Sequence, residues 1–355
     1  MANLFELYNI KSIQLKNRIV ISPMCQYSST DGFANDWHLV HLGSRAIGGA
    51  GLIISEATAV SPEGRITPAD LGIWKDEHIP FLKRITSFIE QHGSVPGIQL
   101  AHAGRKASHR PPWEGGTPVT ISDGGWQTVA PSAFAFKEGT PAPTALDAAG
   151  IEKVLKDFKQ AAARAIQAGF KLAEIHAAHG YLLHEFLSPQ SNQRTDLYGG
   201  SFENRIRLLL EVIAAVQEVW PADWPLFVRI SATDWVEGGW TIEDSVALAQ
   251  ELKMRGVDLI DCSTGGNVPH AKIPAGPLYQ VPFAARIKKE TGMPTGAVGI
   301  ITDAQQAETI LVNGEADLIL LARQALRDPY FPLHAAKELG VDVPWPVQYE
   351  RAKRH

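Results

Sequence analysis

The 355-residue chain is 45% hydrophobic and 20% charged, with net charge −5 and a pI near 6.2. That is the balance of an ordinary soluble globular protein, and it offers no basic surface for nucleic acid or an anionic membrane. Its two cysteines, Cys25 and Cys262, form neither a disulfide framework nor a C-x-x-C metal motif. No apolar run approaches the ~20 residues of a membrane span, and the first residues do not read as a secretory signal, so a cytoplasmic protein is expected.

In chain order, the segment Asn9–Arg18 alternates like a hairpin closing the bottom of a sheet. Short apolar runs follow at Arg18–Ile21, Leu52–Ser55, Gly97–Leu100, Leu172–Ile175, Leu226–Ile230, Leu259–Asp261, Pro294–Ala297 and Leu318–Leu321. Between and after them lie amphipathic stretches with helical periodicity: Leu39–Gly48, Phe81–His92, Ile151–Ala168, Phe202–Val219, Ile242–Arg255, Pro282–Glu290, Ala304–Val312 and Pro332–Leu339. Continuous apolar strands separated by helices predict a parallel sheet covered on its outer face. Eight such units predict one α/β domain, a closed (β/α)8 TIM barrel, with a doubly wound open sheet as the structural alternative. The stretch 103–150 after strand three is rich in Pro and Gly and holds Trp113, Trp126, Phe134 and Phe136. An insert of that length reads as a lid or small subdomain.

Barrel chemistry is built where strands end. Those ends carry Ser22, Pro23, Met24 and Cys25; Ala57; Gln99; His176 to Tyr181; Arg229; Val298 and Gly299; Ala322 and Arg323. The loops after strands seven and eight are a common phosphate site in this fold, and Arg323 adds a fixed positive charge. The densest stretch is E-I-H-A-A-H-G-Y, Glu174 to Tyr181. Residues three apart face opposite ways on a strand, so His176 and His179 converge only if the strand ends near Ile175 and the chain turns. Such a tip could grip an oxygen, bind a metal or serve as core; a metal lacks a convincing third ligand at metal spacing.

The motifs S-P-M-C-Q-Y-S (Ser22–Ser28), Q-L-A-H-A-G-R-K (Gln99–Lys106), A-P-S-A (Ala130–Ala133) and H-A-A-H-G-Y-L-L-H-E-F-L-S-P (His176–Pro189) stand in that order. N-x-R-x-D-x-Y-G-G-S-x-E-N-R (Asn192–Arg205) and Q-Y-E-R (Gln348–Arg351) follow. Together they resemble the old yellow enzymes, and more narrowly the bacterial thermophilic-like subclass of FMN-dependent ene-reductases and xenobiotic reductases. The resemblance runs nearly end to end. It implies an FMN cofactor reduced by NADPH or NADH and reoxidised by an enone, quinone or nitro compound. It implies flavin-ring contacts from Ser22, Pro23, Met24, Cys25 and Ala57, with Gln99 and Arg229 on the pyrimidine side. Val298, Gly299, Ala322 and Arg323 would hold the phosphate. His176 and His179 would grip the substrate oxygen, Tyr181 would donate the proton, Tyr27 would line the pocket, and Cys25 would tune the flavin. It further implies a homodimer or homotetramer in which Arg351, on the tail 341–355, reaches a neighbouring subunit's site. Cys262 falls on strand six with no chemistry assigned.

Overall fold

The computed structural model describes residues 2–353. Eight parallel strands close on themselves: β1 (Ile19–Ile21), β2 (Leu52–Ala59), β3 (Val95–Ala101), β4 (Leu172–Ala177), β5 (Leu226–Ser231), β6 (Leu259–Ser263), β7 (Thr295–Ala297) and β8 (Leu318–Leu321). The ladder runs in chain order and closes where Ile319, Leu320 and Leu321 pair with Ile19, Val20 and Ile21. Among the described residues, eight helices of eight or more residues cover it, with two shorter ones at Leu182–Leu187 and Arg323–Arg327: α1 (Asp36–Ile47), α2 (Ile79–Gln91), α3 (Ala148–Gln167), α4 (Phe202–Gln217), α5 (Ile242–Met254), α6 (Val281–Thr291), α7 (Ala304–Val312) and α8 (Phe331–Glu338). The predicted (β/α)8 barrel is therefore the observed fold.

Period-two alternation sorts every strand into two cores. Ile19, Ile21, Ile98, Ile175, Val228, Ile260 and Ile319 face the helices. Val20, Leu52, Ile54, Leu172, Phe227, Leu259, Leu318 and Leu320 fill the barrel's lower interior. The hairpin formed by Tyr8–Ile10 and Ile13–Leu15 adds Ile10 and Leu15 to that inner cluster, plugging the bottom.

Two strand ends depart from expectation. Strand β2 extends to Ala59, so Ala57 lies within it, and a bulge falls between Ser55 and Ala57. A bulge re-aims side chains at a barrel rim; here Glu56 accepts the Gln26 N–H at 2.9 Å and lies 3.3 Å from His38 Nε2. Strand β4 runs two residues past Ile175, so His176 sits on the strand, not on a turn. The segment after β3 carries short 3-10 turns and a two-stranded parallel pair, Val129–Ala130 with Thr144–Ala145. Its Trp126 donates to Glu63 O at 2.8 Å. Trp113 does not pack inside the insert; it is exposed, with its ring centroid 5.7 Å from that of Tyr27 in an edge-to-face arrangement. No helix among the described residues is long and apolar enough to cross a membrane.

Candidate active site

Continuing the same alternation upward turns the barrel's inner face from apolar to polar. In register across β3 to β6, Gln99 pairs with Glu174, His176 with Arg229, and Arg229 with Asp261. All five side chains are buried. Gln99 Nε2 donates to Glu174 Oε1 at 2.7 Å, and Arg229 Nη1 donates to Ser22 Oγ at 3.2 Å. Arg229 Nε lies 3.1 Å from Asp261 Oδ2, an ion-pair distance without hydrogen-bond alignment. Both Asp261 oxygens and Glu174 Oε2 are left without a hydrogen-bond partner. Burial, followed by the charge of Asp261, pushes the Glu174 carboxyl up to about 8. Burial likewise raises the Asp261 carboxyl, against the pull of the Arg229 charge beside it.

His176, His179 and Tyr181 meet at the mouth above this layer. The His176 ring centroid is 5.1 Å from that of His179 and 5.0 Å from that of Tyr181, both edge-to-face. Because His176 is still on the strand, His179 returns to it by adopting a left-handed backbone, φ 60°, and Gly180 follows at φ 71°. A non-glycine residue in that region carries strain of order 1 kcal/mol, which the surroundings must hold. Lys106 does so: its ammonium donates to His179 O at 2.8 Å and Gly266 O at 3.0 Å, over the faces of Tyr181 and Phe136. From below, the Gly180 N–H donates to His184 Nδ1 at 2.9 Å, and His184 Nε2 lies 3.0 Å from the buried Asp234.

Loss of solvent, then the Arg229 charge, holds both imidazoles well below the usual histidine range, so each is neutral and offers one N–H. Loss of solvent, reinforced by Cys25 and Asp70, raises the Tyr181 phenol well above its ordinary value. The half-buried Cys25 is likewise held as a thiol by loss of solvent and by Asp70 and Glu56.

Across the mouth, a cleft of about 200 Å³ is lined by Val298, Gly299, Ala322 and Arg323, with Gln280 and Arg327. Gly299 takes φ 132°, and a Cβ there would come 3.1 Å from the Gln280 side chain. The opening of the barrel thus carries an anion-suited cleft with two arginines and, on the inner face of β3 to β6, buried amide, guanidinium and unpartnered polar atoms. This donor set and the cleft with its two arginines fit a phosphorylated cofactor such as FMN. Among the described residues, no group of three or more His, Cys, Asp or Glu side chains is placed to hold a metal ion. Cys262 is buried on β6. Arg351 lies apart from this opening, exposed on a 3-10 turn, Glu350–Ala352.

A TIM barrel with this rim defines a flavin-dependent oxidoreductase. The sequence model of the NADH:flavin oxidoreductase / NADH oxidase family matches residues 3–341, and the chain belongs to that family. It is 53% identical over 353 residues to an NADPH dehydrogenase of Geobacillus thermodenitrificans (strain NG80-2), covering 99% of this chain and 98% of the relative. Morphinone reductase superposes with TM-score 0.80 at 30% identity, over 97% of this chain and 91% of that one. The old yellow enzyme homologue of Zymomonas mobilis does so with TM-score 0.77 at 28% identity, over 97% and 94%. The old yellow enzyme resemblance holds, and the protein is an NAD(P)H-dependent oxidoreductase that uses FMN.

Sequence reasoning gave no role to Lys106, Ser263, Gln280 or the Glu174–Asp261 pair, although Ser263 stands among the strand-end residues of the rim. Glu174 and Asp261 had a signal: each shares parity with an inward apolar residue two positions earlier, Leu172 and Leu259. Lys106 and Gln280 had none, because their partners lie far away in sequence.

Proposed function

We propose that the enzyme reduces the C=C bond of α,β-unsaturated carbonyl compounds, with quinones and nitro compounds as further acceptors. The observation that carries this reading is the neutral His176–His179 pair beside a protonated Tyr181 at the barrel mouth. FMN, when bound, supplies the chemistry of accepting hydride from NADPH and passing it to the alkene β-carbon. As that carbon gains hydride, negative charge grows on the carbonyl oxygen. Two pre-aimed N–H donors stabilise it, and removing one donor of this kind typically costs ~10²–10³ in rate. The Tyr181 hydroxyl delivers a proton to the α-carbon, completing addition of H⁻ and H⁺ across the double bond. Arg229, whose guanidinium is paired with Asp261, would supply positive charge that favours the electron-rich, reduced form of FMN. Morphinone reductase, similar in structure, bears the name of a reductase. Anaerobic stopped-flow tests the reading: NADPH should bleach the yellow protein, and cyclohexenone should restore the colour in a second step. Bleaching that only oxygen reverses would exclude the ene-reductase assignment.

We also propose that sites are shared between subunits. The tail segment Val343–Gln348 packs beside Lys16, Asn17, Gly49 and Gly93, residues that precede the barrel strands and so mark the face opposite the mouth. Tyr349 rests against Tyr330, and Arg351 forms no hydrogen bond or ion pair among the described residues. That placement suits an arginine serving another subunit's mouth. Arg351→Ala should raise KM for the enone and leave flavin reduction unchanged in a sedimenting oligomer. A monomer with unaltered KM would remove the idea.

A further inference from the structure

The hydrogen bonds around the two imidazoles fix which nitrogen each has left for substrate. His176 Nδ1 accepts the Ala178 N–H at 3.2 Å. Its ring proton therefore sits on Nε2, free to donate. His179 is bound the other way round: its Nε2 lies 2.7 Å from Ser263 Oγ, at the end of β6. Only Nδ1 remains for the substrate oxygen. A neutral ring carries a single proton, so Nδ1 can donate only if Nε2 accepts from Ser263.

Ser263 has two possible acceptors. Besides His179 Nε2, its hydroxyl lies 3.2 Å from Gln280 Oε1. That oxygen already accepts from Thr264 Oγ1 at 2.8 Å, while Gln280 Nε2 donates to Val298 O at 3.1 Å. Gln280 is held in place and supplied with a donor without Ser263. The shorter contact goes to histidine. Turned toward Gln280, the Ser263 hydroxyl would instead accept the Nε2 proton, and a bare Nδ1 lone pair would face the negative oxygen.

We propose that Ser263 is a positioning residue that selects the Nδ1–H tautomer of His179 by donating its hydroxyl proton to Nε2. The substrate clamp then consists of His176 Nε2–H and His179 Nδ1–H. Without the serine hydroxyl, an imidazole reverts to its intrinsic preference for Nε2–H, and one of the two donors is lost.

This inference rests on the oxygen-clamp reading above, and one set of measurements separates the two. In FMN-loaded protein labelled with ¹⁵N-histidine, two-bond ¹H–¹⁵N spectra should place the proton on Nδ1 of His179 and on Nε2 of His176. Ser263→Ala should move the His179 proton to Nε2. It should weaken binding of 4-chlorophenol, followed through the flavin spectrum, roughly ten-fold or more. Ser263→Thr, which keeps the hydroxyl, should restore both. A wild-type His179 protonated on Nε2 overturns the proposal without any variant. So does a Ser263→Ala protein with unchanged tautomer and affinity while His179→Ala binds 4-chlorophenol weakly. Should His179→Ala also bind normally, the clamp itself falls, and the role of Ser263 falls with it.

Discussion

Tyr181→Phe should slow reoxidation of the reduced enzyme by cyclohexenone by roughly 10²–10⁴-fold, the usual worth of a positioned general acid. Reduction by NADPH should keep its rate, because no proton from Tyr181 enters that step. The substitution is well suited to the question. Phenylalanine retains the ring that meets His176 edge-on at 5.0 Å and lies under the Lys106 ammonium at 5.2 Å. Only the hydroxyl is removed. Because that hydroxyl is held protonated by loss of solvent and by Cys25 and Asp70, it enters each cycle ready to donate. Anaerobic stopped-flow on the two half-reactions checks the expectation. Equal slowing of both halves would show a structural role for Tyr181, and full reoxidation rates would show that water supplies the proton.

The sequence revealed the barrel because each strand is a short apolar run and each helix has its own period; those are local properties. Ala304–Val312 and Leu318–Leu321 were placed to the residue. The overrun of β4 had a physical reason that local patterning hides. His176 looked like the first residue of a turn because it is polar, yet the upper interior of this barrel is polar along β3 to β6. Arg229 beside it in register, with Glu174 and Asp261 below, makes an inward histidine acceptable on a strand. The convergence of the two histidines then depends on a left-handed His179, a conformation that residue type does not announce. Ser263 falls at a strand end in the sequence, but its partner was hidden for a different reason. It stands 84 residues from His179 in sequence, and a lone serine at a strand end is indistinguishable from any other until the strands are wound into a barrel.

The same winding makes Gly180→Ala the most damaging small substitution expected in the site. At φ 71° an alanine already bears the left-handed penalty of about 1–2 kcal/mol. Its Cβ would also sit 2.3 Å from Gly266 O and 2.7 Å from Asn267 Cα, both backbone atoms that cannot rotate away. The loops after β4 and β6 would have to separate. That would break the Lys106 bridge between His179 O and Gly266 O, together with the Gly180–His184 hydrogen bond. A loss of order 3 kcal/mol follows, within the range of single-site strain and network effects, or a fall in Tm of roughly 4 °C for a chain of this size. Gly124→Ala is the control. Gly124 has φ 89°, and an added methyl there would meet no atom within 4 Å, so it should show the left-handed penalty alone and keep full activity. Thermal unfolding of the two variants, with 4-chlorophenol binding measured on each, checks the prediction; equal Tm losses would mean that the loop contact contributes nothing. Gly266 faces the same constraint from the other side, since a Cβ there would lie 2.8 Å from His179 Cα. Two bare α-carbons let the β4 and β6 loops touch, and that contact is what brings Ser263 within hydrogen-bonding reach of His179.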